Sequence, residues 1–166
     1  LFLMMFGKYL NVMAHKTWNE KLNTLGDLPK VVKLNPKQTI KFKANTLAIP
    51  SPPEVNELMA KVPKGRLNTI NIMPEKIAKR YKAYAGCPIT TGIFAWISSY
   101  AAEESRDLGK KRITPYWRTL KNGGELNPKY PGGIKQQQKA LESEGHTIIQ
   151  KGKRFFVKDF EKKLVK

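Results

Sequence analysis

Gly86-Cys87-Pro88-Ile89-Thr90-Thr91-Gly92-Ile93-Phe94-Ala95-Trp96-Ile97-Ser98-Ser99-Tyr100-Ala101 is the stretch whose reading decides the fold class. Gly86-Cys87-Pro88 is a turn. A helix follows from about Thr90, with Thr90 or Thr91 offering the hydroxyl of an N-cap, and Ile93, Phe94, Ile97, Tyr100 and Ala101 recur as one apolar face. Upstream, residues 74–84 read as a second helix with Ile77 inward and Lys76, Lys79, Arg80 and Lys82 mostly outward. Two helices joined by a short Gly-containing turn form a helix-turn-helix unit, whose second helix enters a major groove in the usual docking.

Working outward, Ser51-Pro52-Pro53-Glu54 is a capping box with proline in the first helical turn. Val55, Leu58, Met59 and Val62 then give that helix one buried face, and Pro63-Lys64-Gly65 stops it. Leu67, Thr69 and Ile70 suit a short extended piece. On the other side, residues 113–134 form a long Gly- and Pro-rich loop, a length usually kept for function. A helix over about 134–144 is closed by Gly145. Residues 147–150 and 154–157 flank Lys151-Gly152-Lys153, a tight hairpin with a basic tip, and Asp159 starts a last short helix. The fold class expected is mainly α with a small β hairpin, arranged as a winged helix-turn-helix.

The 166 residues suit one compact domain, and 40% hydrophobic content suffices for a core. Thirty-one Lys and Arg against 13 Asp and Glu leave a formal charge of +18. Such an excess repels itself in a compact chain and is tolerated where a polyanion neutralises it, most commonly nucleic acid. The single cysteine, Cys87, excludes an internal disulfide, and with only His15 and His146 no Cys/His zinc site can be assembled, so no metal or cofactor is expected. A reducing cytoplasm is the expected compartment. Leu1 to Phe6 is apolar but far shorter than the ~20 residues of a membrane span, and its charges follow rather than precede it, unlike a secretory signal. Met13 is the expected natural start, with residues 1–12 an upstream segment. Residues 13–48 read as a Lys-rich, Pro-punctuated extension laid over the surface, with a short helix near Trp18–Leu22. Residues 49–166 read as the winged-helix domain.

Three further stretches carry a resemblance. Val62-Pro63-Lys64-Gly65-Arg66-Leu67 is similar to a proline-x-glycine turn, and Ile113-Thr114-Pro115-Tyr116-Trp117-Arg118 to an Ile-Pro-Cys-His-Arg motif. Tyr130-Pro131-Gly132-Gly133-Ile134, followed by Glu144-Gly145-His146, is similar to a Tyr-x-Gly-Gly loop, helix and Glu-Gly ending. In this order and spacing they resemble the C-terminal, DNA-binding domain of the O6-alkylguanine-DNA alkyltransferases, over roughly residues 49–157. Members of that family rotate an alkylated guanine out of the duplex and accept the alkyl group on a cysteine thiolate deprotonated by a neighbouring His and a Glu.

The resemblance puts Tyr116 at the cysteine position and Trp117 at the histidine position. A phenol with a reference pKa of about 10 is a poor acceptor at pH 7, and an indole has no basic nitrogen. It therefore implies a pseudo-active site of Pro115, Tyr116, Trp117, Arg118 and Glu144, without methyltransferase activity. That is the character of the alkyltransferase-like branch, which binds O6-alkylguanine and hands it to DNA repair. Departures from the family are equally specific. Thr69-Ile70-Asn71 replaces Thr-Tyr-Gly, and Thr90-Thr91-Gly92-Ile93-Phe94 replaces Ala-Arg-x-Val-Gly, so the nucleotide-rotating Tyr and the stack-filling Arg are missing. The expected nucleic-acid contacts are Thr69, Asn71, Thr90, Thr91, Arg112, Tyr116, Trp117, Arg118, Tyr130, Gly132, Lys151 and Lys153. Three readings follow: a monomeric, non-catalytic binder of duplex DNA carrying O6-alkylguanine that flags lesions for repair proteins; a winged-helix module retargeted to RNA, a ribosome or undamaged DNA; and an active methyltransferase using Cys87.

Overall fold

The computed structural model of the protein describes residues 15–165; the reading of Met13 as the start and of residues 1–12 as an upstream segment lies outside them. Helices dominate and the sheets are small. The helices are α1 (Trp18–Asn23), α2 (Pro36–Phe42), α3 (Pro52–Ala60), α4 (Ile72–Arg80), α5 (Pro88–Asp107) and α6 (Gly133–Ser143). The strands are β1 (Lys30–Lys33), β2 (Thr46–Ile49), β3 (Asn68–Thr69), β4 (Ala85–Gly86), β5 (Thr119–Leu120), β6 (Ile148–Lys151) and β7 (Arg154–Val157). Short 3-10 turns lie at Tyr116–Arg118, Asn122–Gly124 and Phe160–Lys163.

Helix α5 is the spine. It runs for 20 residues, well beyond the apolar set that ends at Ala101, and buries Phe94, Ala95, Ile97, Ala101 and Ala102. Its N-cap is Cys87, not Thr90 or Thr91, because Pro88 fits the first helical position where no N–H is needed. Both threonines sit inside the first turn, and the Thr91 hydroxyl donates back to the Cys87 carbonyl at 2.7 Å. Against α5 pack Val55 and Met59 of α3 and Met73 and Ile77 of α4, all essentially sealed from solvent and joined by Tyr116 and Tyr130. Met59 and Val62 fall on the inner face that the sequence spacing predicts.

A second core gathers Leu67, Leu120, Leu126, Leu141 and Val157. The extended piece expected near residue 69 is β3, paired in parallel with β5 (Asn68↔Thr119). The long loop is thus largely ordered, pinned at its middle by two ladder residues. The Leu67 N–H donates to the Lys163 carbonyl and the Val165 N–H to the Leu67 carbonyl, each at 2.9 Å. The Arg66 guanidinium adds a bond to the Leu164 carbonyl at 2.6 Å. Strands β6 and β7 form the expected hairpin, with Lys151 opposite Arg154. Gly152 takes φ 60° at the first central position of its two-residue turn, as a type II′ turn requires.

The segment read as a surface extension contributes more than a tail. β2 is the middle strand of a three-stranded sheet, antiparallel to β1 and parallel to β4. Leu47 and Ile49 form a third small core with Cys87. Helix α1 is where the sequence places it, started by a reciprocal Thr17–Glu20 capping box. It is also docked: the Glu104 carboxylate of α5 accepts the N–H groups of Trp18 (3.0 Å) and Asn19 (2.7 Å). Trp18 packs between Trp96 and Tyr100, with ring centroids 4.8 and 4.7 Å away.

Candidate nucleic-acid interface

The Pro115-Tyr116-Trp117-Arg118 segment forms a single 3-10 turn between the C-terminal half of α5 and the start of α6. Its groups are aimed by three carboxylate- or amide-bearing side chains from those helices and the loop after α6. Tyr116 is 1% exposed, so its ring is a core residue and not the mouth of a pocket. Its hydroxyl donates to Glu103 at 2.7 Å, and the Gln136 amide donates to both the hydroxyl (3.2 Å) and Glu103 (3.3 Å). Burial, and then the carboxylate that takes its hydrogen bond, push the phenol well above its usual range. It is a fixed neutral hydrogen-bond donor at any physiological pH. Tyr130 stands edge-on to it at 5.4 Å and is itself buried.

Glu144 is the second anchor. It accepts from the Trp117 indole (2.9 Å), from two nitrogens of Arg118 (2.8 and 2.9 Å for the shortest contacts) and from the Gly65 N–H (3.3 Å). Arg118 also donates to the Val62 carbonyl at 2.6 Å. Burial alone would raise the Glu144 carboxyl, but these donors outweigh it and hold the carboxyl below its ordinary value. The turn after α3, the 3-10 turn and the end of α6 are therefore locked into one unit. A forked Arg–carboxylate pair with its remaining lone pairs filled is the geometry that makes a buried ion pair tolerable.

Above this layer lies an open cleft of about 560 Å³ rimmed by Arg106, Gly132, Lys135 and Lys139, with Gln136 in its wall. Gly132 adopts a left-handed conformation (φ 69°), and a Cβ there would lie 2.2 Å from the Gln136 amide oxygen, so glycine is required at this rim. Arg106 pairs with Glu103 at 2.8 Å on the edge of the cleft. Lys110, Lys111, Arg112, Lys135 and Lys139 are exposed, and among the described residues none has an ion-pair partner. Five carboxylates, by contrast, are engaged within the protein: Glu54 by Arg80, Glu103 by Tyr116 and Arg106, Glu104 by α1, Glu125 by Lys121 and Arg154, and Glu144 by Arg118. The charged side chains that line the cleft are all basic.

The residues expected to contact nucleic acid separate into groups. Arg112, Lys151 and Lys153 are exposed, and Gly132 rims the cleft. Asn71 is exposed at the start of α4. Trp117 and Arg118 are half-buried and occupied with Glu144. Pro115, Tyr116, Tyr130, Thr69, Thr90 and Thr91 are buried, so they cannot touch a ligand without rearrangement; the threonines of α5 are drawn inward by the early helix start at Pro88. Cys87 is fully buried beneath Leu47 and Ile49, which removes it as an accessible alkyl acceptor. Glu103, Gln136, Lys135 and Lys139 were not among the expected site residues. Lys135 and Lys139 stand four apart directly after a Gly-Gly helix start, a spacing that places them on one face.

No family model and no curated protein matches the chain. Two solved structures are similar to it. One is Schizosaccharomyces pombe Atl1 in complex with damaged DNA containing O6-carboxymethylguanine, at 17% identity and TM-score 0.46. The other is S. pombe ATL in complex with DNA, at 18% identity and TM-score 0.42. In each case the similarity covers 69% of this chain and 94% of the other. Among the described residues no group of three His, Cys, Asp or Glu side chains is placed to hold a metal, and no helix is long and apolar enough to cross a membrane.

Proposed function

We propose that the protein is a non-catalytic, alkyltransferase-like binder of duplex DNA that engages the phosphate backbone through the Arg106–Lys135–Lys139 cleft and reads O6-alkylguanine there. The observation that carries this reading is the open basic cleft directly over a locked Tyr116–Glu103–Gln136 layer. In it the C-terminal end of α5 and the start of α6 carry the phosphate contacts, and the β6–β7 hairpin, with its Lys151 and Lys153 tip, serves as the wing. Residues 49–166 form the DNA-binding domain, acting as a cytoplasmic monomer without cofactor. Alkyl transfer is absent because Tyr116 is held as a neutral phenol and Trp117 offers its only polar hydrogen to Glu144. An alkylated base would enter by displacing the Gln136 amide, and repair proteins would be recruited to the marked site.

A second reading, a module retargeted to undamaged DNA or RNA, is favoured by one observation: Tyr116 is sealed, leaving no ring face for a flipped base to stack on. Titration of the protein against matched duplexes containing guanine or O6-methylguanine, at fixed salt, tests both. Tighter binding of the lesion, lost on Gln136→Ala, is expected. Equal binding of both duplexes with a steep salt dependence overturns lesion reading and leaves phosphate binding alone.

A further inference from the structure

The opposite end of α5 carries a second charged hollow that the cleft does not use. Two adjoining depressions of about 580 and 470 Å³ share Pro74, Glu75, Ala85 and Gly86 as a common floor. Gly86 is what lets β4 lie on α4, since a Cβ there would sit 2.1 Å from the Pro74 carbonyl oxygen. Lys79 and Lys82 line one hollow, Lys41 lines the other, and Glu75 is the only acidic side chain in either. Tyr84 stands over the first, 71% exposed, its backbone N–H fixed to the Thr46 hydroxyl at 3.0 Å. Phe42 lies in the second, under the Lys41 ammonium. From Pro88 to Arg106 the helix rises ~27 Å, so this groove and the Arg106 cleft are separate surfaces.

We infer that this groove binds single-stranded nucleic acid, with a base stacked on the Tyr84 ring and the neighbouring phosphates on Lys79, Lys82 and Lys41. An exposed, backbone-anchored aromatic flanked by lysines is the arrangement that holds unpaired bases, whose π-faces are free, whereas the bases of a duplex are stacked on one another and closed to it. Charge complementarity selects a polyanion: three ammonium groups face one carboxylate. The inference goes beyond duplex binding and stands if that reading fails.

The test is fluorescence anisotropy of the full chain with a labelled short oligothymidine and, separately, a labelled hairpin duplex. Tyr84→Ala is expected to weaken the oligothymidine by about 5- to 150-fold and the duplex hardly at all, while Tyr84→Phe retains binding. Lys135→Gln/Lys139→Gln is expected to do the reverse. Failure of the wild-type chain to bind oligothymidine overturns the inference, as does an equal loss of both probes in Tyr84→Ala or a Tyr84→Phe as weak as Tyr84→Ala. If Tyr84→Ala weakens a polyglutamate probe as much as the oligothymidine, the groove is a docking site for acidic protein and the inference also falls. Tyr84 is exposed enough that its substitution leaves the fold intact, which a thermal melt verifies.

Discussion

Replacing Tyr116 with Phe keeps the ring in the core and removes one hydroxyl, leaving Glu103 short of its closest donor. A hydrogen bond to a charged group contributes about 1.5–3 kcal/mol, so urea unfolding of Tyr116→Phe is expected to show a loss of that size. His146 offers a pH test. It is 7% exposed, and among the described residues its Nε2 has no hydrogen-bond partner. Burial first, with Lys163 and Arg118 adding to it against an opposing pull from Glu144, pushes its pKa below the ordinary 6.5. The folded state then binds the proton less readily than the unfolded one, so stability is complete above pH 6.5 and falls as the pH drops below it. Melting curves taken downward from pH 7.5 are expected to decline, with a shallower decline in His146→Phe. At this scale the position of Tyr116 was legible, because a short motif places it. Its environment was not: the apolar set of α5 ends at Ala101, two residues before Glu103, and nothing local shows that the helix continues far enough to put a carboxylate on the phenol.

Helix α1 has six residues, at most half the ~12–15 that an isolated helix needs to be even marginally stable. Its N-terminal amides are met by Glu104, and its one tryptophan by the α5 rings. Glu104→Ala is expected to cost about 1–3 kcal/mol and to speed amide hydrogen exchange across Trp18–Asn23 while the α3–α5 core keeps its protection. The β6–β7 hairpin carries a different expectation. If Lys151 and Lys153 each neutralise one phosphate of bound duplex, Lys151→Gln/Lys153→Gln lowers the slope of log affinity against log salt by ~2, read from titrations at several salt concentrations. An unchanged slope removes the hairpin from the interface. The hairpin and the first buried helix face could be read directly from the glycine turn at Gly152 and from helical spacing. Strand β2 could not. Its pairing with β4 spans two residues and nearly forty positions of chain, and a Lys-rich neighbourhood masks the apolar Leu47-Ala48-Ile49 run.

At the scale of the whole molecule, the charge of +18 comes from 31 basic side chains against 13 acidic ones, and carboxylates such as Glu103, Glu125 and Glu144 are already taken up by internal partners. The isolated protein is then strained by its own repulsion, which falls as the Debye length shrinks from ~30 Å at 0.01 M to ~8 Å at 0.15 M salt. Its melting temperature is expected to rise over that range, and to rise further with a short duplex at low salt, where binding is tightest. A melting temperature that falls as salt is added would mean that the internal ion pairs outweigh the surface repulsion. Composition alone made this property legible, but not where the charge gathers. The separation into one cleft at each end of α5 follows from helix length and chain path, which no count of lysines contains.

The clasp at Leu67 sets an order in time. Both backbone groups of this sealed residue find their partners in Lys163 and Val165. During translation, at roughly 5–20 residues per second, the chain that has just completed β5 waits ~2–9 s for those partners to be made. Through that interval the growing protein has α3, α4 and α5 ready to collapse, yet carries an open edge beside β3. Such an edge is a template for pairing with a neighbouring nascent chain, so the vulnerable moment for aggregation falls late in synthesis, after most of the α3–α5 core is already available.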